Sequence, residues 1–395
     1  MVAAPAPLTS EIGAERDPRA WVEQHGSPLL VLDCRQIRSA YRRLAAALPQ
    51  AKIHYAIKAL PHAGVLATLS EEGSHFDASS AGELQRLRAV GIASDRVINT
   101  NPIKSERAIR ESLEYGCNTF VVDNAAEMEK FVPHRDRVSL LLRIGFRSPD
   151  AVVDLAKKFG CAPEGAFGLL ELGASLGVSI DGLSFHVGSQ CHSPAAHVGA
   201  INDCRALIER ARLAGLTAIR ILDIGGGFPA SYVTQAMSIE SFCGPIGRAL
   251  DELPPGVRVI AEPGRCLAAP AMRAIATVIG KAQRGGTFWY YLDDGVYGSF
   301  SGRVYDPAAR YPLQVPRSDA GPRYPSVLAG PTCDSIDIIA EDLNLPELQI
   351  GDLIVGTAMG AYSAAAASEF NSIPRTKIVV LHGPPEASGG TNGAW

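Results

Sequence analysis

The sequence predicts an α/β protein, a (β/α)8 barrel of the TIM type with a C-terminal, mostly β domain. Three observations carry this. From about Lys52 to Arg265, eight short strand-like runs alternate with amphipathic helical stretches. The runs are continuously apolar rather than alternating, as strands covered on both faces are. After Arg265 the helical period gives way to β-like runs separated by Pro and Gly turns.

The eight runs are HYAIK, HFDASS, RVINTN, TFVVDN, SLLLRIG, LSFHVG, IRILDIGG and VRVIAEPG. Helical patterns such as GELQRLRAVG, SERAIRESLEYG, NAAEMEKFV and AINDCRALIERARLAG lie between them, several stopping on Gly. Successive β-then-α units of this kind close into a parallel barrel. Beyond it, TFWYYLDDG, YPSVLAG and TKIVVLHG read as strands of a second domain. The expected division is 30–265 for the barrel and 1–29 with 266–385 for the β domain, the segment around LLVLD joining the latter. Residues 386–395, rich in Gly and polar, are expected to be a disordered tail.

A chain of 395 residues exceeds one ordinary core, which agrees with two domains. It is 47% hydrophobic and 20% charged, a globular balance. A net charge of −4 gives no basic excess, which argues against nucleic acid and anionic membranes as partners. The N-terminus lacks a basic stretch followed by an apolar one, so no signal peptide is expected. Nor is any apolar run long enough to span a bilayer. The 8 cysteines are scattered without a CxxC pair, against both a zinc site and a disulfide framework. No metal is expected, and a reducing cytoplasm is the expected compartment.

The polar residues gather at strand ends. Lys58 ends the first run, Asp77 lies in the second, Arg143 near the end of the fifth and His186 near the end of the sixth. Gly225, Gly226 and Gly227 end the seventh, and Glu262 and Arg265 follow the eighth. The C-terminal ends of barrel strands share one mouth, where active sites lie. Each residue also has an ordinary reading. Lys58 is a solvated rim charge or a Schiff-base amine with its pKa lowered by burial. His186 is a core histidine or a flat ring against a flat cofactor. The GGGFP segment is a tight turn or a phosphate cradle of bare backbone N–H groups. GxGxxG is absent, so a dinucleotide is not supported. Glu262 and Arg265 form a surface pair or part of a site, and Cys333 is a small apolar filler or a catalytic thiol.

Taken together, YAIK, HFDASSAGE, LLLRIG, SFHVGSQ, DIGGGFP, AEPGR, YYLDDGVYGSF, GPTCDSID and GAYSAAAASEFN resemble, in this order, the eukaryotic-type ornithine/lysine decarboxylases. These are the alanine-racemase-fold (fold type III) branch of pyridoxal 5'-phosphate enzymes, and the resemblance runs from about Leu29 to Asn371. It implies a barrel plus a β domain, and a head-to-tail homodimer with active sites at the subunit interface. It makes Lys58 the covalent carrier of the cofactor, pairs Glu262 with the ring nitrogen and stacks His186 on the ring. Ser189, Gly226, Gly227, Gly264, Arg265 and Tyr362 then contact the cofactor, chiefly its phosphate. Asp77, Glu83 and Arg143 support the Lys58 side. Cys333, from the neighbouring subunit, reprotonates the substrate carbon. Tyr305, Asp306 and Asp334 bind the substrate, and Lys158 with Asp337 ties the subunits together.

The resemblance implies decarboxylation of L-ornithine, L-lysine or both, giving a diamine and CO2. Asp306 and Asp334 suit a distal ammonium, and CDS in place of CES counts against diaminopimelate. Glu262 stands where alanine racemases typically place an arginine, which favours decarboxylation over racemisation. A related or modified amino acid (diaminopimelate, arginine or a biosynthetic intermediate) stays open as substrate, as does a non-catalytic, decarboxylase-like binding protein. Ornithine and lysine differ by one methylene, worth only about 1–3 kcal/mol to a pocket. Leu60, Gln190, Arg303 and Ser372 depart from the usual Asn, Gly, aliphatic residue and Gly. These changes are expected to shift substrate choice, Arg303 by partly neutralising Asp306.

Overall fold

A computed structural model describes residues 17–146, 151–153, 157–216, 219–305, 309–316 and 321–384. All eight runs contribute strands, and these close into one parallel barrel. In chain order they are Ala51–Ala56, His75–Ala78, Val97–Asn99, Thr119–Val122, Ser139–Ile144, Ile180–Phe185, Ile221–Asp223 and Arg258–Ala261. Val259 pairs with Ala51 to close the cylinder. The strands stop about where each run turns polar, so Lys58, Ser79, His186, Gly225 and Glu262 all lie just past a strand end.

The pleat then decides which polar residues enter the barrel, because alternate residues face opposite sides. Ile98, Val121, Leu141, Ile221 and Ile260 form a buried cluster of their own. Their neighbours Phe120, Val122, Leu140, Leu142, Leu222 and Ala261 belong to the main core. Two residues beyond each inner apolar residue stand Thr100, Asp123, Arg143, Asp223 and Glu262. The same parity that fills the barrel with aliphatics therefore crowns it with polar groups at the mouth.

At the opposite end His54 and His75, paired across the first two strands, bring their rings to 4.9 Å. Burial, then the other imidazole, lowers His54 to about 3. Burial, then Lys52, lowers His75 to about 4. Both rings are neutral at pH 7. Folded pKa values below the free value of 6.5 mean stability that is present above pH 6.5 and lost as pH falls through 4 and 3. The denaturation midpoint is expected to drop across that window, and His54→Leu to flatten the drop in urea titrations at stepped pH. An unchanged slope would contradict this.

Caps hold the helices that aim the mouth residues. Ser80 Oγ accepts from Glu83 N–H at 3.2 Å, while Glu83 Oε2 accepts from Ser79 N–H at 2.6 Å, a reciprocal cap on helix Ala81–Ala89. Helix Glu106–Tyr115 is capped by Ser105 and ended by Gly116 in the left-handed region, φ 97°.

The C-terminal part forms an eight-stranded sheet. Leu29–Asp33 belongs to it, antiparallel to Met272–Arg284 and parallel to Lys377–Leu381. The barrel portion thus begins after Asp33, not at residue 30, because all five residues of this strand are buried within the second sheet. The expected tail at 386–395 lies outside the described residues. Among the described residues, no helix is long and apolar enough to cross a membrane.

Candidate active site

The register Ala56↔Asp77 brings the second strand's carboxylate beside the turn Ile57–Ala59 that carries Lys58. Lys58 Nζ lies 3.1 Å from Asp77 Oδ2, and Asp77 Oδ1 accepts from Thr100 Oγ1 at 2.6 Å. Asp77 is fully buried, whereas the lysine side chain keeps 41% of its surface open to the mouth. The lowered lysine pKa expected from the sequence is not found. Burial opposes the ammonium, but Asp77, Tyr362 and Glu262 outweigh it and hold the pKa above the ordinary lysine range. The amine must give up a proton before it can act as a nucleophile, and Asp77 is the adjacent acceptor.

Across the mouth, Glu262 is 6% exposed, and its Oε1 is buried without a hydrogen-bond partner. Asp223 lies beside it, accepting from Ser184 Oγ at 3.1 Å and Gly225 N–H at 2.9 Å. Burial raises Asp223 to about 6, and burial with Asp223 raises Glu262 well above the glutamate range. Two carboxyls this close in a dry site cannot both ionise freely. A protonatable nitrogen brought against Glu262 would relieve both the orphan oxygen and the crowding.

Between them lie the flat and anion-ready parts. His186 Nδ1 accepts from Gly188 N–H at 3.1 Å, and burial keeps the imidazole neutral, well below its usual pKa. Its ring packs directly on Gly226, where an added Cβ would lie 3.0 Å from Nε2 and 2.8 Å from Glu262 O. Arg143 is half-buried at the mouth, its guanidinium 5.4 Å from the Phe159 ring centre. Arg265 donates from Nε and Nη2 to Ser189 Oγ at 3.3 Å each and from Nη1 to Tyr232 OH at 2.9 Å. It also lies 4.9 Å from the Tyr362 ring. Tyr362 N–H donates to Ala59 O at 2.9 Å, tying the β domain to the lysine turn. Gly264 packs 3.0 Å, by its missing Cβ, from Ala59.

Cys333 and Asp334 form a second cluster, on the β domain. Cys333 is exposed and accepts from Asn371 Nδ2 at 3.3 Å. Asp334 accepts from Tyr297 OH at 2.5 Å. That bond holds the carboxyl below its usual pKa and pushes the phenol up to about 12. Tyr297 stacks on Phe370, centroids 4.3 Å apart. Among the described residues, Cys333 and Asp334 make no hydrogen bond to the barrel-mouth group. Tyr305 is 66% exposed, and Asp306 lies outside the described residues, so its relation to Arg303 does too. Asp337 is buried and accepts from Val296 N–H and from the Thr332 N–H and hydroxyl. Lys158 is exposed, 4.8 Å from the Phe159 ring.

Sequence reasoning missed Asp223, Thr100, Tyr232, Tyr297 and Asn371 as site residues. Asp223 and Thr100 did carry a signal, being polar at the inner parity of apolar strands. The other three are placed by tertiary contact alone.

A barrel mouth offering a lysine amine, an orphaned carboxyl, a neutral ring and a glycine cradle with an arginine defines a cofactor-dependent enzyme. Its ligand carries a carbonyl, a basic ring nitrogen and a phosphate. Residues 34–269 match the family described as pyridoxal-dependent decarboxylase, pyridoxal binding domain, and the chain belongs to that family. The lysine/ornithine decarboxylase of Vibrio vulnificus, solved with putrescine and with cadaverine, is 50% identical. It covers 92% of this chain and 97% of its own, with a TM-score of 0.88. The lysine/ornithine decarboxylase of Selenomonas ruminantium is 35% identical over 94% of both chains. Ornithine decarboxylase of Mus musculus is 36% identical over 90% of this chain and 80% of its own.

Proposed function

We propose that the protein decarboxylates L-ornithine and L-lysine with pyridoxal 5'-phosphate, giving a diamine and CO2. The carrying observation is Lys58 beside Asp77, in one mouth with the orphaned Glu262 carboxyl and the Gly225–Gly227 loop. The diamines bound to the Vibrio relative support the product class.

Lys58 would hold the aldehyde end of the cofactor, Glu262 its ring nitrogen and His186 its ring face. Ser189, Gly226, Gly227, Arg265 and Tyr362 would hold its phosphate. When bound, this cofactor supplies a sink for the electron pair left on the α-carbon as the carboxylate departs. Asp77 takes the proton that Lys58 sheds. Arg143 and Glu83 balance charge around that pair. Cys333 Sγ–H delivers a proton to the α-carbon. Asp334, kept anionic by Tyr297, receives the distal ammonium of the substrate together with Asp306 and Tyr305.

Cys333 and Asp334 lie in their own cluster with Tyr297, Asn371 and Phe370, and Ile336 and Phe370 there are exposed. We read this face as the surface that completes the barrel mouth of a second copy in a head-to-tail homodimer. Mixed Lys58→Ala and Cys333→Ala chains are then expected to recover about a quarter of wild-type activity, since half the random dimers hold one intact site. No recovery would contradict shared sites. A working Cys333 thiol fits the reducing cytoplasm.

The function is tested by CO2 release from ornithine, lysine, arginine and diaminopimelate. Ornithine and lysine are expected to lead, with kcat/KM values within about 200-fold of each other. Faster turnover of arginine or diaminopimelate would overturn the substrate assignment. Cofactor uptake without CO2 from any of them would favour a modified substrate or racemisation, and no uptake at all a non-catalytic binding protein.

A further inference from the structure

Gln190 has φ 59°, a left-handed conformation that side-chain-bearing residues seldom adopt. Its amide closes a two-bond clasp on the chain just past the glycine loop. Nε2–H donates to Ala230 O at 2.5 Å, and Ala230 N–H donates to Oε1 at 2.9 Å. Next to it, Cys191 N–H donates to Gly227 O at 3.0 Å.

From the other side, helix Ala195–Leu213 brings fully buried His197 beneath the loop, its Nε2 3.0 Å from Gly226 O. Phe185, Phe228 and Phe242 surround the ring. Burial keeps the imidazole neutral, its pKa lowered to about 4. A carbonyl partner requires the single proton on Nε2, and buried Nδ1 has no partner.

These anchors orient the loop through peptide planarity. In a trans peptide the C=O and the following N–H point in opposite directions. His197 holds Gly226 O down, so Gly227 N–H points away from the interior. Cys191 holds Gly227 O, which turns Phe228 N–H away as well. Neither N–H meets an acceptor among the described residues. Glycines left unanchored would sample many conformations and lose that freedom on binding.

We propose that Gln190 and His197 are positioning residues that hold the Gly225–Gly227 loop with its N–H groups turned to the mouth, prepared for the cofactor's phosphate. The proposal rests on the cofactor reading above. It places the Gln190 departure in cofactor binding, not in substrate choice.

The test compares binding of pyridoxal phosphate and of pyridoxal, which lacks the phosphate, to apoprotein of wild type and three variants. Gln190→Gly keeps the positive φ accessible, His197→Phe removes the donor, and His197→Gln offers an amide N–H to the same carbonyl. Gln190→Gly and His197→Phe are each expected to weaken pyridoxal phosphate about 3- to 10-fold while pyridoxal stays within about twofold. His197→Gln is expected to recover part of the loss. Equal weakening of both ligands, or none, would overturn the clasp alone. Wild-type protein that bound neither ligand would overturn the cofactor reading itself, and the clasp with it.

Discussion

Lys58→Ala is expected to lower kcat by on the order of 10⁴-fold or more, because its side chain supplies the covalent attachment point for the cofactor. The visible absorbance of lysine-bound cofactor should vanish, while the Gly225–Gly227 loop still binds the phosphate non-covalently. The fold should survive, since the Lys58 side chain is 41% exposed at the mouth and takes no part in the hydrophobic core. Asp77 keeps its bond to Thr100 Oγ1 in the variant. The pKa direction adds a pH dependence. With Lys58 held above the usual range by Asp77, the amine is protonated at neutral pH, and covalent loading of apoprotein should quicken as pH rises. Stopped-flow absorbance checks this. A rate that fell with pH, or a variant retaining the visible band, would contradict the assignment.

Glu262→Gln is the second large effect, a loss in kcat/KM of roughly 10²–10³-fold, as for removal of one preorganised electrostatic partner. The amide matches the carboxyl in shape but cannot become an anion, so it cannot keep a ring nitrogen protonated. Asp223 should stay above the ordinary aspartate range, because burial is the first cause of its shift and survives the substitution. Absorbance should show that cofactor still loads on Lys58 while CO2 release falls. Turnover within about threefold of wild type would contradict the role, because an effect that small lies below even one charge-assisted hydrogen bond.

The barrel was legible because its evidence is local. Apolar runs such as SLLLRIG and polar residues at their ends lie within single segments, and the pleat's parity carries Arg143, Asp223 and Glu262 inward. What failed depended on partners far along the chain. LLVLD joins the second sheet as expected, but the boundary at residue 30 cuts through it, because its pairing with Met272–Arg284 and Lys377–Leu381 is visible only in the fold. Burial alone predicts a lowered lysine pKa, yet the sign for Lys58 is set by Asp77, delivered from the next strand by register. Gln190 shows only that a glycine is missing, and its partner Ala230 is visible only in the fold. The Tyr297 hydroxyl that keeps Asp334 anionic likewise comes from another segment.

Among the described residues, Lys104 is a rival for the cofactor's lysine. Lys104 is buried, and burial lowers its pKa to about 8, closer to a free amine than Lys58. Its Nζ, however, is spent on the carbonyls of Asn101, Pro102 and Val121 and on Glu127. Geometry therefore favours Lys58 although pKa alone would favour Lys104. The most direct test is borohydride reduction of the cofactor-loaded enzyme, followed by digestion and mass spectrometry of the modified peptide. The account predicts the reduced cofactor on the peptide containing Lys58. Finding it on Lys104, or on no lysine, would contradict the account at its centre.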